Sequence, residues 1–77
     1  MKLQILGPGC VRCKQLLANA EQAIVAAGGN VEIEKIEDIK EIMKFRVLAT
    51  PALAVDGVVK AAGRVLSPEE IKQLIQG

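Results

Sequence analysis

With 77 residues, the chain has room for one domain, residues 1–77, and not for two, and a domain this short buries only about 60% of the surface its unfolded chain exposes. Apolar residues, mostly aliphatic, make up 51% of it, so a packed core needs no metal or disulfide staple. Ten basic and nine acidic residues are interspersed, Phe45 is the sole aromatic and His is absent, which excludes a phosphate-binding surface, an aromatic stacking platform, a Cys–His or Ser–His pair and imidazole metal ligands.

Lys2–Leu6 reads as a short apolar strand, followed by the loop Gly7-Pro8-Gly9. From Cys13 a helical stripe runs through Leu16, Leu17, Ala20, Ile24 and Ala27, while Arg12, Lys14, Gln15, Asn19 and Gln22 lie elsewhere on the helix. Gly28-Gly29-Asn30 stops it. Residues 31–36 then alternate, Val31 and Ile33 against Glu32 and Glu34, as a half-buried strand does. Asp38 caps a second helix, Glu41 completes a box-like pair with it, and Ile39, Ile42 and Met43 form its inner face before it ends near Arg46.

Thr50-Pro51 precedes a hairpin: Ala52–Val55, the turn Asp56-Gly57, and residues 58–61. Asp-Gly between apolar runs favours a tight turn with positive φ. Ser67-Pro68-Glu69-Glu70 opens the last helix, with Ser67 as cap, Pro68 in its tolerated first position and Glu70 reaching back. Ile71, Leu74 and Ile75 bury its inner face. The order is βαβαββα. Strands 1 and 2 should be parallel with a right-handed crossover, and strands 3 and 4 an antiparallel hairpin. The implied fold is α/β, a four-stranded mixed sheet covered by three helices.

Residues 1–6 are too short for a signal-peptide apolar region, and nothing approaches the ~20 apolar residues of a membrane span. The expected location is the cytoplasm, with neither nucleic acid nor membrane as partner. In a reducing compartment, two close cysteines point to redox or metal chemistry more than to a structural disulfide.

Cys10-Val11-Arg12-Cys13 lies between the first strand and the first helix. Two intervening residues at a helix start bring the sulfurs within disulfide reach. The first sulfur sits beside unpaired backbone N–H groups and the positive end of the helix dipole, and Arg12 adds positive charge; all favour its thiolate, below the reference pKa of about 8.5. Cys13 lies on the apolar stripe and should be less reactive. Cys10 is then the attacking thiol and Cys13 the resolving one. Two other readings stand beside this one. The cysteines can fill a small core, although a loop-edge Cys10 is a poor core position. A lone CxxC can also hold soft Cu(I), but copper chaperones of that kind run βαββαβ with Met before the first cysteine, where this chain has Gly9 and ends on a helix.

These features together resemble the thioredoxin superfamily, and more narrowly its small prokaryotic redox-active disulfide proteins. The resemblance covers almost the whole chain: the opening strand, Gly7-Pro8-Gly9-Cys10-Val11-Arg12-Cys13, Thr50-Pro51 before a strand, Val55-Asp56-Gly57 at the hairpin and Gly63-Arg64 before the final helix. It implies a thioredoxin-like fold and a cis Thr50–Pro51 bond facing the cysteine pair. Thr50 and Pro51 should then bind an incoming peptide or thiol, with Ala62-Gly63 either completing a shallow docking groove or simply packing closely at a strand end. Arg64 reads as a solvated charge. The implied activity is thiol–disulfide exchange by a monomer without a bound cofactor, on protein disulfides or small thiols, with a reductase to restore the dithiol. A soft-metal binding module on the same fold is the alternative.

Two departures from the family pattern matter. Thioredoxins usually carry Trp before the first cysteine and Gly-Pro between the pair; here Gly9 and Val11-Arg12 stand in those places. Many also bury an acid beneath the second cysteine, where strand 1 here offers only Gln4 as a polar candidate, leaving water to carry the proton of Cys13.

Overall fold

A computed structural model describes residues 1–9 and 11–76; Cys10 and Gly77 lie outside the described residues. Seven elements follow one another: β1 (Lys2–Leu6), α1 (Val11–Ala27), β2 (Glu32–Ile36), α2 (Ile39–Lys44), β3 (Ala52–Val55), β4 (Val58–Ala62) and α3 (Pro68–Gln76). The sheet order is β2-β1-β3-β4. β1 pairs parallel with β2, Leu6 opposite Ile36, and antiparallel with β3, Leu6 opposite Ala52. The architecture is the expected four-stranded mixed sheet with three helices.

β1 and β3 are central, and both read as near-continuous apolar runs because both of their faces are covered. On one face Leu3, Ile5, Leu53 and Val55 pack with Leu16, Ala20 and Ala23 of α1, Ile71 of α3 and Leu66. The other face is smaller: Leu6, Ala52 and Ala54 lie under Ile42, with Ile36, Phe45, Val47 and Val59 at the margin. Buried alanines matter here. Ala20 and Ala23 are fully buried, and their small side chains let α1 lie close to the sheet and to α3. Ala23 falls outside the expected stripe, whereas Leu17, Ile24 and Ala27 are only half-buried.

Local signals explain most boundaries. Gly29 N–H donates to Ile24 O at 3.0 Å and Gly28 N–H to Val25 O at 3.4 Å, the two bonds of a Schellman ending to α1. Asp56 and Gly57, at φ 50° and 86°, make the tight hairpin turn. The turn is fastened to β1 by reciprocal 2.8 Å bonds between Lys2 and Asp56. Register slips between Leu53 and Ala54, which leaves Lys60 as an extra residue on β4.

Helix α2 departs from its expected form. Asp38 caps it by accepting from Lys40 N–H at 2.9 Å, but Glu41 reaches forward to Lys44 at 3.3 Å instead of back to the cap. Only Ile42 turns inward; Ile39 and Met43 are 65% and 68% exposed. The row that reaches the sheet runs from Ile42 to Phe45 and Val47, so a six-residue helix has no second row to bury.

In α3 the capping box closes in both directions. Glu70 N–H donates to Ser67 Oγ at 3.2 Å and Ser67 N–H to Glu70 Oε1 at 3.0 Å. Glu70 also pairs with Arg64 at 2.7 Å. The backbone bond from Ser67 and then the Arg64 guanidinium lower the Glu70 carboxyl below its ordinary 4.5. A lowered folded-state value stabilises above the unfolded value and is lost as pH falls through the folded one. Urea stability should therefore drop below about pH 4.5, and Glu70→Gln should flatten that drop. Ser67→Ala should cost about 1 kcal/mol at neutral pH, read as a shift of the urea midpoint.

Candidate active site

The carboxyl ends of β1 and β2, the amino end of β3 and the first turn of α1 converge at one corner of the sheet. Gly7 N–H donates to Ile36 O at 3.0 Å, so the pairing of β1 with β2 extends one residue past the strand end. The chain then turns through Pro8 and Gly9 into α1. No acidic residue occupies the first turn of α1, so no side chain of that turn offsets its partial positive charge.

Cys13 is 5% exposed. Its sulfur packs so tightly on Gly7 that a Cβ there would overlap Cys13 Sγ, with Pro51 Cα 3.8 Å from the same point. Gly7 is thus required by contact. Pro51 is fully buried and Thr50 half-buried, and the bond between them is cis, as the resemblance implies. Cys13, Thr50 and Pro51 are therefore brought together. Cys10 lies outside the described residues.

Arg12 is exposed, and its Nη2 donates to Gly63 O at 3.0 Å. Gly63 N–H donates in turn to Pro51 O at 2.9 Å. Both backbone groups of Gly63 are thereby engaged within the protein. Gly63 has φ 77°, and a Cβ on it would come 2.9 Å from Ala49 Cβ; the left-handed backbone and the close approach both call for glycine. Arg64, expected to be a solvated charge, pairs with Glu70 at the surface.

Gln4 does not approach Cys13. It lies on the opposite face of β1, and its Oε1 accepts from Gly57 N–H at 2.9 Å beneath the hairpin turn. Polar groups near Cys13 come from elsewhere. A cleft of about 70 Å³ is lined by Cys13, Gly7, Gly9, Ile5 and Leu17 together with Lys14, Lys35 and Glu37. Lys35 and Glu37 are absent from the sequence-level site. Their signal was the parallel register: Ile36 opposite Leu6 puts position 37 beside position 7. Among the described residues no three His, Cys, Asp or Glu side chains gather as a metal site.

Over residues 1–76 the chain matches the family model described as a thioredoxin domain. The chain belongs to the thioredoxin family. A thioredoxin of Methanothermobacter thermautotrophicus is 45% identical over 75 residues, covering 97% of each chain. A thioredoxin of Methanocaldococcus jannaschii is 38% identical over 71 residues, 92% of this chain and 81% of its own. A probable thioredoxin of Methanothermobacter thermautotrophicus is 30% identical over 71 residues, 88% of this chain and 82% of its own.

The Gly7–Cys13 contact has a measurable consequence. Gly7→Ala should destabilise the reduced protein by about 1–3 kcal/mol, the usual cost of overpacking. In a Cys13→Ala background the added methyl has the space of the sulfur, and its cost should fall well below that. Urea unfolding of the four proteins of this cycle checks it; equal costs in both backgrounds would mean the contact is unimportant.

Proposed function

We propose that this protein is a thiol–disulfide oxidoreductase in which Cys10 attacks a substrate disulfide and Cys13 resolves the mixed disulfide. The observation that carries the reading is the seat of Cys13: a buried sulfur in the first turn of α1, packed on Gly7 at a point that also lies near Pro51. Family membership supports the reaction type.

The cycle balances as follows. The Cys10 thiolate forms a bond to one substrate sulfur and the other leaves as thiolate, taking up a proton. Cys13 then loses its proton and attacks Cys10; the Cys10–Cys13 bond forms and the substrate's second sulfur is released. Two electrons pass from dithiol to substrate. The amino end of α1 lowers the energy of the Cys10 thiolate, and the Arg12 charge adds to this. An incoming chain pairs with the backbone at Thr50 and lies over Pro51. Gly63 backs that groove, holding Pro51 from behind while Arg12 holds Gly63. No bound cofactor is needed. The protein works as a monomer in the reducing cytoplasm, on protein disulfides or small thiols, and a separate reductase restores the dithiol.

The two cysteines should part by role. Cys13→Ser should accumulate a mixed disulfide with a disulfide-bonded substrate protein, and Cys10→Ser should accumulate none, as read by non-reducing mass spectrometry. Equal trapping by both variants, or by neither, would contradict the assignment. A soft-metal module would instead lose ligand binding in both variants alike.

A further inference from the structure

Resolution requires a proton to leave Cys13, and burial restricts where it can go. Only 5% of the residue is exposed, and the sulfur is packed directly on Gly7. Cys13 lines a cleft beside it. At about 70 Å³ the cleft is roomy enough for water, which needs roughly 10–15 Å³ of such space. Its charged lining is Lys14 from α1, Lys35 from β2 and Glu37 from the junction of β2 and α2. Lysine ammonium groups only donate hydrogen bonds. Glu37 is the carboxylate in that lining, and its Oε2 lies against Gly9, 3.1 Å from where a Cβ there would stand.

We infer that Glu37 is the general base for Cys13, taking the thiol proton through water held in this cleft as Cys13 attacks Cys10. The inference rests on the exchange reaction proposed above. Proton and electrons balance: the Cys13 S–H bond breaks, its proton passes by way of water to Glu37, its electron pair forms the bond to Cys10, and the substrate sulfur departs with the electrons of the broken bond. Lys35 and Lys14 line the same cleft. β1 supplies no acid to the task, since Gln4 is bonded to the hairpin on the other face. Instead the neighbouring parallel strand delivers one, a residue beyond its last pair with β1.

A chromogenic aryl disulfide separates the steps, because each turnover releases one aryl thiolate on capture and a second on resolution. An aryl thiolate leaves without being protonated, so the second phase reports on the proton of Cys13. Glu37→Gln should slow that phase at pH 7 on the order of 10²-fold, at the low end of general-base effects. Its rate should then rise about tenfold per pH unit, as hydroxide replaces the lost base, where the parent protein has a flatter profile. Glu37→Asp should restore much of the rate, and Glu34→Gln, a carboxylate outside the cleft lining, should leave it unchanged. A second phase with the parent rate and pH profile in Glu37→Gln would overturn the inference while leaving the exchange reaction standing. Absence of any second phase in the parent protein would instead overturn the exchange reaction itself.

Discussion

The sulfur of Cys13 fills the space that a side chain at position 7 would take, and the rest of the site is arranged around that contact. Gly7 is fixed by its bond to Ile36 at the end of β2, and Pro51 by its place before β3, the other neighbour of β1. The first turn of α1 is thus seated on the two strand pairings made by β1. Moving the sulfur would require moving β1 against one of its neighbours. Close-packed interiors resist such shifts.

A second tie runs across the surface. Arg12 holds Gly63, and Gly63 holds Pro51, so the residue between the two cysteines in sequence is linked to Pro51 through two hydrogen bonds. The Arg12 bond is exposed and contributes little stability. The effect of the two bonds is positional: they tie the helix start to the Thr50–Pro51 segment.

The features legible in the sequence are those decided by near neighbours. The Asp56-Gly57 turn, the Ser67–Glu70 box and the glycine ending of α1 each need only a few adjacent residues to be stable, and each formed as read. Features decided by distant neighbours were not legible. Ile39 and Met43 have the spacing of an inner face, yet the sheet beneath α2 has room for one row. Glu41 has the spacing of a capping box, yet Lys44 competes for it. Glu37 looks like one charge in an acidic stretch until the β1–β2 register places it beside Gly7 and Gly9. The cysteine spacing and Thr50-Pro51 were legible because they belong to a family pattern; the cleft was not, because three separate elements build it.

The central claim is that burial against Gly7 makes Cys13 chemically unlike Cys10. Alkylation of the fully reduced protein tests it most directly. Arg12 stands between the cysteines, so trypsin parts them into separate peptides, and the modification of each can be followed over time by mass spectrometry. With limiting iodoacetamide at neutral pH, Cys10 should be modified at least tenfold faster than Cys13, whose burial withholds its sulfur from the reagent. Equal rates at the two positions, or faster modification of Cys13, would contradict the account.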